Sequence, residues 1–300
     1  MTDMVIRPLS AGEEHLFDLL PDPGLVGPAA FGRTYRGLAE TGEYRPEWTW
    51  VALRGDTVVA RAAWWGGPAD ESPAALDWFD FTEPQAGTAL LRAAPLHYEY
   101  CLRLPPKWRN QPAVRAAAQA RIDAVTAAGM RPLVERYNYR WTPDCGLPAR
   151  PGRLTFRPEP DDAMILDVLR RIHHATLDAH ARRTIAADGV DAAAREDLEI
   201  LHWFPSPRDW WRQAFTPSGE LVGLTVPARN YTDPVVGIIG VVPEHRGNGY
   251  GYDLLVECTH LLVVAGAGRV VAATDVTNTP MAAAFAKAGY PITQERIFLV

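Results

Sequence analysis

The sequence predicts a mixed α/β fold that is built twice, as two domains in tandem. Short apolar runs rich in β-branched residues alternate with segments whose apolar residues recur at helical spacing, which is typical of strands and helices that follow one another. The order of these segments then repeats in the second half of the chain. A length of 300 residues also suits two domains of about 150 residues each.

The repeat is clearest at the two ends of each half. Residues 6–8 (IRP) recur as residues 156–158 (FRP), and each triplet ends an apolar run and begins a segment rich in acidic residues and leucine. We therefore expect a strand followed by a helix at both places. Near the other end, the AG and ER pairs of residues 128–136 recur in residues 288–296 at the same spacing. Matching ends indicate a duplicated domain.

Between these ends, each half contains a predicted hairpin. Residues 49–65 and 210–228 each place a glycine, Gly55 or Gly219, between two apolar runs, which predicts a pair of antiparallel strands. In the first half the run LDWFDF (residues 76–81) then predicts a further strand.

The halves are joined by a predicted linker. Residues 142–152 (TPDCGLPARPG) are rich in proline and glycine, which interrupt helices and strands. We therefore expect one domain over residues 1–145 and another over residues 151–300.

Composition and charge exclude several classes of protein. The chain has 30 basic and 36 acidic residues, a net charge of −6, which argues against a nucleic-acid-binding protein held by phosphate contacts. The three cysteines, Cys101, Cys145 and Cys258, lack metal-ligand spacing, so we expect neither a disulfide framework nor a metal. No run of eighteen apolar residues and no signal segment stand out, so we expect a cytoplasmic protein that does not bind membranes.

A glycine-rich segment in the second half carries the strongest functional signal. Gly247, Gly249 and Gly251 fall within five positions, after the apolar run 234–242 and before a segment with helical periodicity. We expect the run to be a strand buried on both faces and the glycines to form a strand-to-helix turn. The first N–H groups of a helix have no intrahelical partner and suit an anion, and glycine lets the anion approach the backbone. The turn is therefore a predicted phosphate cradle.

The first half has no such turn. In the corresponding place it has residues 82–91 (TEPQAGTALL), with a single glycine, Gly87, and no basic residue. We therefore expect the first half to be structural, and a second, independent site is the alternative.

Two blocks of the second half resemble the GNAT acyltransferase superfamily. Val242-Pro243 followed by residues 246–251 (RGNGYG) resembles the family's acetyl-CoA signature, and residues 275–290 (DVTNTPMAAAFAKAGY) resemble its later strand end, helix and closing Gly-aromatic pair. The resemblance covers residues 153–300 well and the first half in outline. It implies a tandem GNAT protein with a degenerate amino-terminal copy, in which each domain has a mostly antiparallel sheet flanked by helices.

The resemblance also implies acetyl-CoA as co-substrate, bound by the second half. Backbone N–H groups from Arg246 to Gly251, reaching Tyr252, would hold the pyrophosphate, and the fourth and fifth strands would splay apart to admit the pantetheine arm. The backbone at Val241 and Val242 would line that arm and polarise the acyl carbonyl. The implied donor-site residues are Val241, Val242, Arg246, Gly247, Asn248, Gly249, Tyr250, Gly251, Tyr252, Asn278 and Phe285.

Phe285 also bears on the mechanism. It stands four residues before Gly289, where many members of the family carry a tyrosine whose hydroxyl protonates the departing thiolate. The ring is kept and the hydroxyl is missing, so the resemblance implies no general acid at this position. For Phe285 the alternative is a residue of the core, and for Arg246 it is a solvated charge.

The acceptor pocket of the family is built by the segment between the first strand and the hairpin, here residues 170–211. It combines acidic residues and histidines with aromatic side chains, which suits a cationic amine. Glu199 and His202 are the candidate bases because they fall closest to the aromatic residues. A solvated helix face is the alternative for the acidic residues. The other residues of interest in the segment are His173, His174, His180, Glu196, Asp197, Trp203, Phe204, Trp210 and Trp211.

These observations leave three hypotheses for the function. The first is an N-acetyltransferase that moves the acetyl group of acetyl-CoA to a small-molecule primary amine by direct attack in a ternary complex. The alternative from another class is a non-catalytic acyl-CoA-binding sensor or assembly module, and the third is acetylation of proteins. A covalent route through Cys258 is disfavoured, because its apolar helical pattern predicts a buried thiol. The acceptor, the acyl chain length and the oligomeric state, either a monomer with an intramolecular pseudo-dimer or a homodimer, stay open.

Overall fold

A computed structural model of the protein describes residues 3–159 and 161–300. The strands are β1 (Met4–Pro8), β2 (Thr49–Arg54), β3 (Thr57–Trp65), β4 (Ala75–Phe81), β5 (Tyr100–Leu104), β6 (Pro132–Trp141), β7 (Thr155–Pro158), β8 (Arg212–Phe215), β9 (Leu221–Arg229), β10 (Pro234–Val241), β11 (Val270–Asp275) and β12 (Ile292–Leu299). The α-helices are α1 (Tyr35–Ala39), α2 (Pro84–Ala93), α3 (Pro112–Ala127), α4 (Asp162–His173), α5 (Ala179–Asp188), α6 (Val190–Trp203), α7 (Tyr250–Val264) and α8 (Thr279–Lys287). Short 3₁₀ helices lie at Glu14–Leu19, Pro28–Phe31, Pro46–Trp48, Trp108–Asn110, Pro143–Cys145, Arg208–Trp210 and Pro243–His245.

The described chain forms two compact units, and they are not two consecutive halves. The first comprises the residues up to Glu135 together with Gln294–Val300, and the second comprises Arg136–Thr293. β6 follows α3 in the chain but pairs with β11, and β12 follows α8 but pairs with β5. The last strand of each half therefore completes the sheet of the other unit, and residues 142–152, the linker of the sequence, fall inside the second unit.

The sheet of the first unit has the strand order β1-β2-β3-β4-β5-β12. Neighbouring strands are antiparallel except for β4 and β5, which are parallel. The predicted hairpin of residues 49–65 is confirmed as β2 and β3, and its turn glycine, Gly55, has a φ of 60°. The predicted strand of residues 76–81 is confirmed as β4.

The helix expected after residues 6–8 is wrong in type. Residues 14–19 form a 3₁₀ helix and not an α-helix. The carbonyls of Phe17 and Leu20 accept hydrogen bonds from Nη1 of Arg61, at 2.6 and 3.1 Å. Carbonyls that are turned toward a side chain of the sheet are turned out of an α-helical ladder, so the segment closes only the tighter 3₁₀ turns. In the second half the corresponding prediction is confirmed by β7 and α4.

The sheet of the second unit has the strand order β6-β11-β10-β9-β8-β7. Its neighbouring strands are antiparallel except for β10 and β11, which are parallel. The predicted hairpin of residues 210–228 is confirmed as β8 and β9, with Gly219 in the turn at a φ of 90°. Helices α4, α6 and α7 pack against this sheet through buried aliphatic side chains. Both sheets are thus mostly antiparallel and flanked by helices, which confirms the predicted fold class.

The strands β10 and β11 open away from each other along their length. They pair at a single position, Val235 with Val271, near the start of β10. Farther along, Ile239, Gly240 and Val241 line a groove, so the predicted opening between the fourth and fifth strands is present. The prediction that this strand is buried on both faces is wrong: most of its residues are half-buried, because the strand borders the groove.

Candidate functional site

A groove of about 790 Å³ lies in the second unit, where β10 meets the glycine-rich turn. Its walls come from the end of β10, the turn at residues 245–249, the first turn of α7, one side of α8, and the end of α4 with the residues that follow it. A groove of this size is typical of sites for small molecules and cofactors.

The glycine-rich turn forms the predicted junction between a strand and a helix. α7 begins at Tyr250, and Gly249 before it has a φ of 74°, in the left-handed region. Gly247 has a φ of 82°, and a Cβ added there would meet no atom within 4 Å. Residues with a Cβ are strained at such φ values, so it is the backbone conformation, and not crowding, that requires glycine.

The amides at the centre of this turn have no partner. The N–H group of Arg246 donates to the carbonyl of Pro243, and the N–H group of Tyr252 donates to that of Gly249. Within the described parts of the chain, no carbonyl or side chain accepts a hydrogen bond from the amides of residues 247–251, and no side chain caps α7. Consecutive unpaired N–H groups at the positive end of a helix dipole form an anion-binding cradle.

Arg153 supports the cradle through its carbonyl groups. Its Nη1 and Nη2 donate to the carbonyls of Asn248 and Gly249, at 3.0 and 3.3 Å. Its Nε lies 3.0 Å from Oδ1 of Asp253 in the first turn of α7, and this carboxylate raises the pKa of Arg153. Because the peptide bond is planar and trans, carbonyls that point to Arg153 direct the N–H groups of Gly249 and Tyr250 the opposite way.

The side chain of Arg246 binds carbonyls of two separate segments. Its Nε donates to the carbonyl of Val241 at 3.0 Å, and its Nη2 donates to that of Ile172 at 2.5 Å. Its Nη1 donates to the carbonyls of His174 and Ala175, at 2.7 and 3.0 Å. Burial lowers the pKa of Arg246. The alternative of a solvated charge is therefore wrong, because the guanidinium joins the end of β10 to the residues that follow α4.

The charged residues of the groove are basic. Arg153, Arg246 and Lys287 line it, and no aspartate or glutamate among the described residues does. Nζ of Lys287 lies 4.0 Å from the ring centroid of Tyr252, where α8 faces α7. In a chain with a net charge of −6, this local excess of positive charge favours an anionic ligand.

The open edge of β10 offers backbone groups beside the cradle. Val242 is buried, and its N–H group donates to the carbonyl of Val222 at 2.9 Å. Hydrogen-bonded pairs alternate along an antiparallel ladder, so the N–H groups of Ile239 and Val241 face away from β9, toward the opening. Of the two valines expected to line the pantetheine arm, Val241 lies in the wall of the groove and Val242 does not.

Asn278 lies across the groove from β10, as the N-cap of α8. Its Oδ1 accepts a hydrogen bond from the N–H group of Met281 at 3.3 Å. The Nδ2 group of the same side chain, which can only donate, is left for a ligand in the groove. This placement agrees with the contact to the pantetheine arm that the resemblance implies.

Phe285 lies in the core and not in the wall of the groove. It is 1% exposed and stacks on Tyr139, with 4.2 Å between the ring centroids. Tyr290 packs against its edge, and the hydroxyl of Tyr290 lies 2.7 Å from that of Thr259. Burial raises the pKa of Tyr290. Phe285 is therefore a residue of the core, which was the alternative to a role in donor binding. Neither Phe285 nor Tyr290 offers a proton donor to the groove.

The two candidate bases lie outside the wall of the groove. Glu199 is exposed on α6. His202 is 51% exposed, and its Nε2 lies 3.1 Å from Oδ2 of Asp162. Neither borders the groove in the described structure, so their roles as bases stay predictions. His173, by contrast, is buried, and its Nε2 lies 3.0 Å from Oδ2 of Asp197.

Cys258 is fully buried in α7, and burial raises the pKa of its thiol to about 12. The predicted burial of this thiol is confirmed, and such a thiol is a poor nucleophile at neutral pH. Among residues 3–159 and 161–300, no cluster of three or more histidine, cysteine or acidic side chains could hold a metal ion. No described helix is both long enough and apolar enough to cross a bilayer.

Sequence reasoning missed several residues of the groove. Arg153 lies 100 residues before its partner Asp253, so no local pattern reveals the pair. His245 and Lys287 also line the groove, and each lies next to or inside one of the two recognised sequence blocks. A search of positions beside those blocks for basic residues would have found both.

Comparison with known proteins defines the class of the second unit. Residues 177–290, which lie within the second unit, match the model of the acetyltransferase (GNAT) family. A curated relative, mycothiol acetyltransferase from Arthrobacter sp. (strain FB24), is 27% identical over 186 residues, which cover 57% of this chain and 54% of that protein. The chain thus spans about half the length of the curated relative that it matches.

Solved structures have the same fold. A GCN5-related N-acetyltransferase from Sphaerobacter thermophilus superposes with a TM-score of 0.53 at 14% identity, over 99% of this chain and 94% of that chain. A tandem GNAT protein from the clavulanic acid biosynthesis pathway superposes with a TM-score of 0.53 at 18% identity, over 99% of this chain and 98% of that chain. At these identities the likeness establishes the fold alone, and it confirms the tandem GNAT architecture.

Proposed function

We propose that the second unit binds acetyl-CoA in the groove and transfers its acetyl group to a small-molecule primary amine. The observation that carries this proposal is the row of unpaired amides at residues 247–251, at the start of α7, in a groove whose charged residues are basic. A pyrophosphate suits both features, because backbone N–H groups and cationic side chains stabilise its charge. The acetyltransferase family supplies the class of reaction.

The pantetheine arm would run from the cradle along the open edge of β10. There Asn278 can donate a hydrogen bond from Nδ2 to an amide carbonyl of the arm. The N–H group of Val241 would donate to the acyl carbonyl and stabilise the negative charge that develops on its oxygen as the amine attacks. When bound, acetyl-CoA supplies the activated acyl group and a thiolate leaving group.

Direct transfer in a ternary complex requires little proton chemistry from the protein. A free thiol has a pKa of about 8.5, so the CoA thiolate can leave without a general acid, and Phe285 offers none. The amine must lose a proton, and Glu199 and His202 are the proposed bases, with water as the route if neither acts. The buried Cys258 argues against a covalent intermediate on that thiol.

The proposed acceptor is a small molecule, and its class is to be found by a screen. The wall beside the open edge of β10 is formed by Ile172, Ala175, Thr176 and Leu177, which carry no charge. The curated relative is named mycothiol acetyltransferase, so compounds related to mycothiol belong in the screen. We also propose that the first unit is structural and that the protein acts in the cytoplasm without nucleic-acid or membrane partners.

A non-catalytic sensor of acyl-CoA is the second candidate, because the candidate bases lie outside the groove and Phe285 lacks a hydroxyl. Release of free thiol from acetyl-CoA, measured with a panel of amines, separates the two. An acetyltransferase should release thiol with a saturable dependence on some amine, and a protein acetylase should prefer peptides to free amines. If calorimetry shows that CoA binds while no amine and no peptide releases thiol, the sensor takes the place of the enzyme.

A further inference from the structure

The segment of residues 172–178, which runs from the last turn of α4 to the residue before α5, forms one wall of the groove. Ile172, Ala175, Thr176 and Leu177 line it. Leu177 is 47% exposed although it is apolar. Apolar side chains that border a groove in this way are typical of a wall that contacts a ligand. The 172–178 segment borders the groove beside the end of β10, so it is the wall that we expect an acceptor to meet beside the donor.

Arg246 holds the first part of this segment. Four of its hydrogen bonds go to backbone carbonyls, three within the 172–178 segment and one at Val241. No carboxylate among the described residues lies within ion-pair distance of it. A guanidinium has five N–H groups in a fixed planar fork, so its side chain is nearly saturated by these carbonyls and has little capacity left for a phosphate.

The backbone of the segment shows that it needs such support. Ala175 has a φ of 55°, one of two positive values among the described non-glycine residues. This left-handed conformation is unfavourable for a residue with a Cβ and persists where the surroundings impose it. The carbonyl of Ala175 is one of those bound by Nη1 of Arg246, at 3.0 Å. The hydrogen bonds from Arg246 to the 172–178 segment, here called the clamp, therefore include one to the residue with the unusual conformation.

The far end of the segment is tied to the donor side as well. Asp178 caps α5 by accepting from the N–H group of Ala181 at 2.8 Å. Oδ2 of Asp275, at the end of β11, accepts from the N–H group of Ala179 at 2.7 Å, and Arg136 bonds both aspartates. Asp275 stands three residues before Asn278. The segment is thus held at one end by Arg246 and at the other by Asp275 and Arg136.

We propose that Arg246 is a positioning residue that holds the acceptor wall, the 172–178 segment, against the end of β10 beside the acyl group. Its carbonyl shares a peptide group with the first unpaired amide of the cradle, that of Gly247, whereas its side chain fixes the acceptor wall. Donor binding, which orders the cradle, then also orders the acceptor wall through this side chain. This inference rests on the proposed function, because acyl transfer is what gives the two walls their roles.

Amide hydrogen exchange of the full chain, with and without CoA, tests the clamp. The informative amides are those of His174, Thr176 and Asp178, each of which makes a local hydrogen bond. In Arg246→Ala we expect these amides to exchange faster by about tenfold or more, and to lose the protection that CoA gives in the wild type. Arg246→Lys should behave in the same way, since an ammonium cannot reach carbonyls on both segments.

Arg171→Gln is the matched control. Arg171 lies near the end of α4, and its Nη2 lies 3.6 Å from Oε1 of Glu244, two residues before Arg246. The variant therefore removes a positive charge near the 172–178 segment and leaves the hydrogen bonds of Arg246 in place. It should leave the exchange of the 172–178 segment unchanged. With the amine found by the thiol-release screen, Arg246→Ala should lower kcat/KM for the amine by about tenfold while the Kd for CoA changes less than about threefold.

Two results would overturn the inference. The first is unchanged exchange of the segment in Arg246→Ala. The second is a loss of CoA affinity of about tenfold or more in Arg246→Ala, together with an equal loss of affinity for inorganic pyrophosphate. Equal losses would mean that the side chain binds the phosphates directly. If wild-type protein binds no CoA at all, the proposed function fails, whereas CoA binding without coupling to the segment removes the inference alone.

Discussion

The corner that follows β4 in the first unit and the corner that follows β10 in the second unit have the same topology and opposite character. In each unit a parallel pair of strands meets at one position, Leu76 with Tyr100 and Val235 with Val271. In the second unit the opening beyond that position is a groove. In the first unit Phe79 of β4, which is buried, packs edge to face on Tyr100 of β5, with 5.9 Å between ring centroids.

The first turns of α2 and α7, the helices that follow these corners, also differ in whether their amides have hydrogen-bond partners. α2 begins at Pro84, and the amides of Ala86 and Gly87 donate to the carbonyl of Glu83. The carboxylate of Glu83 lies at the positive end of the helix and pairs with Arg54 at 2.7 Å. The amides of Ala86 and Gly87 therefore have acceptors, and the carboxylate of Glu83 already places a negative charge near the start of α2. The comparison teaches that side chains at the corner, and not the fold, decide which unit can bind a phosphate.

The largest effect, on the free energy of unfolding, is expected at Asp80, a buried carboxylate of the first unit. Asp80 is 5% exposed and bonds both Arg61, at 3.0 Å, and Arg121. Asp80→Ala removes the carboxylate that Arg61 and Arg121 share, and although Arg61 keeps Asp22 at 3.0 Å, the variant should lower the free energy of unfolding by about 3 kcal/mol, measured by denaturant titration. CoA binding should not change at temperatures where the variant is folded, and a parallel loss of CoA affinity would give the first unit a part in the donor site.

A smaller effect, confined to binding, is expected at the cradle. Gly249→Val places a branched residue at a φ of 74° and beside the unpaired amides. It should weaken acetyl-CoA binding by more than ~2 kcal/mol, about 30-fold in Kd, measured by calorimetry. Gly219→Val is the control, because Gly219 has a φ of 90° in the β8–β9 turn and lies outside the groove.

Gly87→Val is the equivalent change in the first unit and should leave acetyl-CoA binding unchanged. A Cβ at Gly87 would lie 2.6 Å from Cδ1 of Phe81, so the variant should lower the free energy of unfolding by about 1 to 3 kcal/mol. Equal losses of donor affinity in Gly87→Val and Gly249→Val would mean that both units hold a nucleotide.

The support of the cradle gives a third, weaker effect. Arg153 and Arg150 both pair with a carboxylate of α7, and only Arg153 also binds the carbonyls of the cradle. Arg153→Gln should weaken CoA binding by about 1 kcal/mol, roughly fivefold, because the amide groups lose their fixed direction. Arg150→Gln should have no such effect. Equal losses from the two variants would assign the effect to charge and not to the carbonyl contacts.

The smallest effect is expected from the candidate bases. Glu199 and His202 are the proposed acceptors of the proton that the amine must lose. Because both lie outside the groove, and because the other group or water can take the proton when one is removed, Glu199→Gln and His202→Ala should each change kcat by less than about threefold. A loss in kcat of about 100-fold, without loss of CoA affinity, would show that the wall rearranges to bring one of them to the acceptor.

Local features of the fold could be predicted from the sequence. The hairpins at Gly55 and Gly219 and the start of α7 at Tyr250 depend on turn chemistry within a few residues, and the structure has them where the pattern indicates. The 3₁₀ helix at residues 14–19 could not be predicted, because Arg61, more than forty residues away, binds its carbonyls. Burial of β10 was overestimated because an apolar strand that borders a groove has the same sequence as one in a core.

Site features that depend on distant parts of the chain were likewise out of reach. The exchange of β6 and β12 between the units depends on pairing partners far apart in sequence, and both strands have ordinary strand patterns. The cradle was visible because its three glycines fall within five positions of the sequence. The clamp of Arg246 on residues 172–175 was not, since backbone carbonyls leave no mark in the sequence.

Calorimetric titration of the full chain with CoA tests the central claim most directly, because it counts sites. The account predicts about one CoA per chain for the wild type, the same stoichiometry with unchanged affinity for Gly87→Val, and a Kd raised by about 30-fold or more for Gly249→Val. About two sites per chain in the wild type, or one site that survives in Gly249→Val and disappears in Gly87→Val, would contradict it.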